Sequence, residues 1–144
     1  ENDDAKLLLF WIELYKEYST KDYKDKTIGL KYEYQLEHLM PKEWKTKWAD
    51  IGIDDDNANR LIYQIGNMTL LKSGLNASIK NAKWDIKIKG DGSRKRHISM
   101  YADLIITREI LDKVEWNATE IQNRTKNLID DFFKIWDISK IAND

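Results

Sequence analysis

The chain has 144 residues, 42% apolar and 34% charged, with a formal net charge of −1. That length suits one domain with a real hydrophobic core, and the near-neutral charge argues against wholesale coating by nucleic acid. The absence of cysteine excludes disulfides, thiolate zinc sites and cysteine nucleophiles, so any metal must be held by oxygen and imidazole, which favours magnesium or manganese over zinc.

No apolar run approaches the ~20 residues of a membrane span and nothing resembles a signal peptide, so the cytoplasm is the expected compartment and no membrane partner is expected. The chain opens at Glu1, without a methionine, and reads as a fragment of a larger protein. Six tryptophans and seven tyrosines point to an aromatic-rich core.

Residues 3–18 read as a helix. Leu7, Trp11, Leu14 and Tyr18 share one face, and Leu8, Leu9, Phe10 and Ile12 make the others apolar too, the pattern of a helix buried between other elements. Residues 19–29 are a polar, lysine-rich loop. Residues 30–37 alternate, with Tyr32, Tyr34 and Leu36 on one side, and predict a short strand that delivers Glu37 and His38 at its end before Pro41 stops it. Trp44 and Trp48, four apart, suit a helical turn. The stretch from Asp54 to Asn57 offers caps for a short helix over 58–64.

A second strand is predicted over 67–72, broken by Gly74, and a helix over 75–88. Residues 89–97 form a basic loop containing Gly90 and Gly92. Two more helices close the chain, one over 99–113 and one from Asn117 to Trp136, opened by the capping-box pattern Asn117-Ala118-Thr119-Glu120. The predicted fold class is α+β and mostly helical, a single domain over 1–144 in the order helix, strand, strand, helix, helix, helix.

The chemistry gathers in the strand–strand–helix unit of about 31–88. Glu37-His38-Leu39-Met40-Pro41 carries one of two histidines and the only proline. Phosphodiester cleavage needs a base to activate water and a cation to take charge on the leaving oxygen. A carboxylate directly before a histidine can supply a metal ligand and that base side by side. Neighbours on a regular strand point to opposite faces, so the strand end must twist for both to serve one site. Asn76, opening the third element, could complete a metal site with Glu37.

At 100° per residue, Asn76, Lys80, Lys83 and Lys87 form a stripe beside the apolar stripe Leu75, Ile79, Ala82 and Ile86, a lysine row spaced for a phosphate backbone. Basic residues continue through Arg94, Lys95 and Arg96; a solvated face is the plain alternative. Arg124 borders the apolar stripe of Ile121, Leu128, Phe132 and Ile135, where a charge is costly without a partner. A core carboxylate and a bound phosphate are both open to it. Trp84 and Trp116 read as core.

The ordered set Glu37-His38-x-x-Pro41, Ile65-Gly66-Asn67-Met68-Thr69-Leu70-Leu71, Leu75-Asn76, Asn81-x-x-Trp84-x-x-Lys87 and Trp116-x(4)-Ile121-x-x-Arg124-x(3)-Leu128 resembles the HNH nuclease domain that ends the GmrSD-type restriction enzymes and their SspE-type relatives. The resemblance runs from the first helix to about Trp136. It implies a small ββα-metal core embedded among helices, with Glu37 as metal ligand, His38 as general base, Asn67 bracing the loop that aims the histidine, and Asn76 as second ligand in an H-N-N variant of the signature. It implies Mg2+ or Mn2+ as cofactor, DNA as partner, and an N-terminal nucleotide-binding, modification-sensing domain absent from this chain. Lys80, Lys83, Lys87, Arg94, Arg96 and Arg124 are the nucleic-acid-binding candidates. The expected function is a metal-dependent endonuclease, the effector of a restriction or anti-phage defence protein. A degenerate module that binds without cutting and an RNA-cleaving toxin domain are the alternatives.

Overall fold

A computed structural model of the protein describes residues 2–20, 33–48, 52–93 and 96–137. In chain order these form α1 (Asn2–Ser19), β1 (Gln35–His38), a 3₁₀ turn at Trp44–Thr46, α2 (Asp55–Ile62), a second 3₁₀ turn at Ile65–Asn67, β2 (Met68–Leu71), α3 (Ser73–Ile79), α4 (Trp84–Lys89), α5 (Ile98–Tyr101), α6 (Ile105–Arg108) and α7 (Ala118–Ile135). The class is α+β and mostly helical. Residues 21–32, which hold most of the predicted loop and the start of the first predicted strand, lie outside the described residues, as does Arg94.

The two strands pair antiparallel, with Gln35 opposite Leu71, Leu36 opposite Leu70, Glu37 opposite Thr69 and His38 opposite Met68. All four residues of β2 are buried, and side chains on a strand alternate between faces. Met68 and Leu70 join an apolar cluster with Leu9, Ile12, Tyr34, Leu104, Ile106 and Leu128. Leu71 joins a second, aromatic-rich cluster built on Leu39, Met40, Trp44, Trp48, Trp84 and Trp116, where Trp84 and Trp116 stack with ring centroids 4.7 Å apart. The sheet therefore stands between two cores, with the end of β1 at their junction.

Local capping signals act as the sequence predicted. Asp54 accepts a hydrogen bond from the Asn57 amide at the start of α2, and Asn117 accepts one from the Glu120 amide at the start of α7, each satisfying an otherwise orphaned helix donor. Three other expectations are corrected. The face of α1 carrying Leu7, Trp11 and Tyr18 is exposed, and Leu9, Ile12, Glu13 and Glu17 are buried instead. Polar residues win that face because Glu13 has work there: its carboxylate accepts the Ile105 and Ile106 amides at 2.8 and 2.9 Å, capping α6. The predicted helix over 99–113 is two short helices separated at Ala102–Leu104, where the Asp103 carboxylate takes a hydrogen bond from Tyr34 (2.8 Å) and an ion pair from Lys72 (2.7 Å).

The predicted helix over 75–88 is also two helices. It breaks at Lys80, whose φ of +34° is the only positive value at a non-glycine among the described residues, a conformation that stores backbone strain. Trp48 donates its indole N–H to the Ala82 carbonyl at 3.1 Å, and Asn81 reaches Glu43 at 3.2 Å; these contacts hold the chain in the bend. Asn76 and Lys87 thus lie on different helices, and the continuous lysine stripe does not exist.

Helix α7 locks the turn that leads into β2. A side chain at Gly66 would overlap the Ile121 carbonyl and Thr125 of α7, so glycine is required there by close approach. Arg124 then donates to the carbonyls of Gly66 (2.7 Å), Met68 (2.6 Å) and Ile106 (3.1 Å). This fixes Asn67 between two clamped residues.

Candidate active site at the end of the first strand

The chain leaves β1 under the control of one side chain. Asn67 is fully buried, and its amide oxygen accepts the Met40 N–H (2.8 Å) and the Trp116 indole N–H (3.0 Å). Its amide nitrogen donates to the Met40 and Ile62 carbonyls at 2.9 and 3.1 Å, and its backbone carbonyl accepts the Leu39 N–H at 2.8 Å. Two donated and two accepted bonds use the amide to its usual capacity. The residues directly after His38 are thereby held in a fixed turn, with the imidazole edge-on to Tyr63 at a centroid distance of 6.0 Å.

That turn resolves the problem of adjacent residues on opposite faces. Glu37 and His38 both line one open depression of about 410 Å³, together with Gln35, Lys42, Asn76 and Lys80. Asn76 sits on α3 with its amide nitrogen 3.4 Å from the Gln35 side-chain oxygen, which leaves its own amide oxygen unused by that bond. Glu37, His38, Asn67 and Asn76 are therefore brought together: three on the wall of the depression and Asn67 behind it.

The electrostatics of the two wall residues differ. Burial, reinforced by the cations of Lys42 and Lys87, lowers the His38 pKa to about 4, so the ring is neutral at physiological pH. Its Nε2 is buried without a hydrogen-bond partner. Glu37 is ion-paired with Lys87. Burial pushes the Glu37 carboxyl up and the Lys87 ammonium down, each against the attraction of the other's charge.

Two candidate phosphate contacts fall elsewhere. Lys87 is fully buried; its ammonium donates to Glu37 and, at 3.2 Å, to the His38 carbonyl. Arg124 is also buried, and burial lowers its pKa to about 10; its two terminal nitrogens donate to the three carbonyls named above, and its Nε is buried without a partner. Neither cation can reach a bound backbone. Lys80 is exposed on the depression, whereas Lys83 is exposed in a neighbouring pocket with Trp48 and Trp84. Arg96 is exposed beside α3, its guanidinium over the Tyr101 ring at 5.4 Å. Lys42 was not anticipated. Lys87's burial had a readable signal, since it falls with Trp84 and Ile88 at the i, i+3, i+4 spacing of one helix face.

The family profile described as GmrSD restriction endonucleases, C-terminal domain, matches residues 1–131. The chain belongs to this family. No curated protein and no solved structure matches it. Membership places this GmrSD C-terminal domain among restriction endonuclease domains. No helix among the described residues is long and apolar enough to cross a membrane.

Among those residues no three His, Asp or Glu side chains converge on a common metal position. The donors on the depression are one carboxylate and one amide oxygen; the unpartnered His38 Nε2 is buried behind it. That sparse oxygen set suits a hard cation that keeps several waters and completes its shell with substrate phosphate, as magnesium does. It is a poorer set for zinc, which prefers nitrogen and sulfur ligands.

Proposed function

We propose that this GmrSD C-terminal domain is a divalent-metal-dependent, HNH-type endonuclease that hydrolyses DNA phosphodiester bonds as the effector of a restriction system. The observation that supports it most is the opening of Glu37, His38 and Asn76 onto one depression, with Asn67 bracing the turn behind the histidine. In this reading Glu37 and Asn76 hold magnesium or manganese and His38 is the general base. When bound, that ion supplies stabilisation of the charge on the phosphoryl group and on the departing 3′ oxygen.

The protein's own groups account for the other requirements. His38 carries an unprotonated ring nitrogen at neutral pH and accepts the proton of an attacking water. A nitrogen with a pKa of about 4 is a weak acceptor, but two of the causes are cations. A phosphodiester entering beside Lys42 and Lys80 opposes the Lys42 part of that lowering, while burial and Lys87 continue to hold the imidazole neutral. Lys42 and Lys80 position the backbone without reading sequence, and Lys83 and Arg96 extend the basic surface to flanking phosphates. Residues 1–144 are read as one domain acting in the cytoplasm. The choice of target belongs to the nucleotide-binding, modification-sensing domain that the family resemblance implies.

Parallel incubations with plasmid DNA and with RNA, with and without Mg2+ or Mn2+, test the reading. Cation-dependent cleavage of DNA is expected. Cleavage of RNA alone, or DNA binding without cleavage at any cation concentration, would replace it with one of the two alternatives.

A further inference from the structure

One buried charge touches the site without lining it. Lys87 lies on the inward face of α4, wholly excluded from solvent, and is absent from the wall of the depression that Glu37 helps to form. Its ammonium meets Glu37 Oε1 and the His38 carbonyl oxygen at 3.2 Å, so both contacts come from beneath. We propose that Lys87 is a positioning residue: it grips one oxygen of Glu37 and the backbone of His38 together, aiming the second carboxylate oxygen and the imidazole into the same opening.

This rests on the reading of Glu37 as a metal ligand and deepens it. An ion pair excluded from water recovers little of its desolvation cost, and apolar residues of similar volume commonly serve stability as well or better. Orientation is what the pair adds. A carboxylate has two acceptor oxygens; fixing one from behind removes the rotation that would otherwise swing the other away from a bound ion. Neighbours in a strand diverge, and a cation bonded to the side chain of one and the carbonyl of the next fixes the local twist at the point where they must converge. Groups in this relation to a metal ligand commonly change affinity by about 10- to 100-fold when removed.

The test is Mn2+ binding to the DNA-free 144-residue chain, read as the loss of the free-ion signal in electron paramagnetic resonance. Wild type is compared with Lys87→Met, Glu37→Gln and the double variant. Lys87→Met is expected to weaken Mn2+ at least about tenfold, and the double variant to bind no more weakly than Glu37→Gln alone. A folded Lys87→Met that binds Mn2+ like wild type, or losses that add in the double variant, overturns the proposal while leaving Glu37 as ligand. Unchanged binding in Glu37→Gln instead overturns the ligand reading, and the proposal with it. Should Lys87→Met not fold, Lys87→Gln, a donor of shorter reach, is titrated in its place: an intermediate loss supports the proposal and unchanged affinity overturns it.

Discussion

Lys87 and Arg124 are both cations buried in the same small domain, and they are employed in opposite ways. Arg124 meets only backbone: three carbonyls from the turn before β2, from β2 and from α6. Lys87 meets a carboxylate that also faces open solvent. The first pattern ties elements together from within the core. The second holds a reactive group from behind and leaves its front free. A buried charge announces function less by its own burial than by what its partner is still able to do.

Truncating both cations should separate these roles. Arg124→Met leaves three carbonyls without donors, and at about 1–3 kcal/mol for each unsatisfied buried group a loss of at least roughly 3 kcal/mol in urea unfolding is expected, with no single second substitution restoring it. Lys87→Met leaves one charged partner, so its loss of roughly 3 kcal/mol should be largely recovered by adding Glu37→Gln. Recovery in the Arg124 case, or none in the Lys87 case, would erase the distinction.

The two regions also titrate in opposite senses. Glu13, which caps α6 at the same Ile106 that Arg124 holds, has its pKa raised to about 7, chiefly by burial and further by the neighbouring Glu17. A raised carboxyl contributes stability that is full below about 4.5 and is lost as pH rises through 7. His38, lowered to about 4, contributes stability present above about 6.5 that is lost as pH falls toward 4. Between 4.5 and 6.5 the two oppose each other, and above 6.5 Glu13 prevails. Unfolding free energy should therefore be nearly level from pH 5 to 6 and fall by roughly half a kcal/mol by pH 7.5, the Glu13 loss outweighing the last of the His38 gain. In Glu13→Gln the fall should vanish and the His38 rise emerge; an unchanged profile would remove Glu13 as its source.

What the sequence made legible follows the range of the interactions involved. The caps at Asp54 and Asn117 depend on partners three residues away, and both were readable. The end of β1 was legible as a place where a carboxylate and an imidazole meet, Asn76 was legible as a possible second ligand, and family resemblance supplied the role of Asn67. The turn that makes the meeting possible was not, because the Asn67 bonds to Met40 span 27 residues. Lys87 and Arg124 were read as phosphate contacts because their partners lie 50 and 58 residues off. The bend at Lys80 escaped a helical-stripe argument for a related reason: periodicity counts apolar positions along one segment and cannot register an indole from Trp48 holding the Ala82 carbonyl. The inverted face of α1 shows the same limit, since Glu13 is buried for the sake of amides 92 and 93 residues away.

The central claim is that His38 activates water at a metal-dependent site made with Glu37 and Asn76. The most direct test is the plasmid-nicking rate of His38→Ala against wild type, at saturating Mg2+ or Mn2+ and with the unfolding midpoint measured alongside. A fall of about 10²- to 10⁴-fold in a variant that remains folded is predicted. Equal rates for the two proteins would contradict the account.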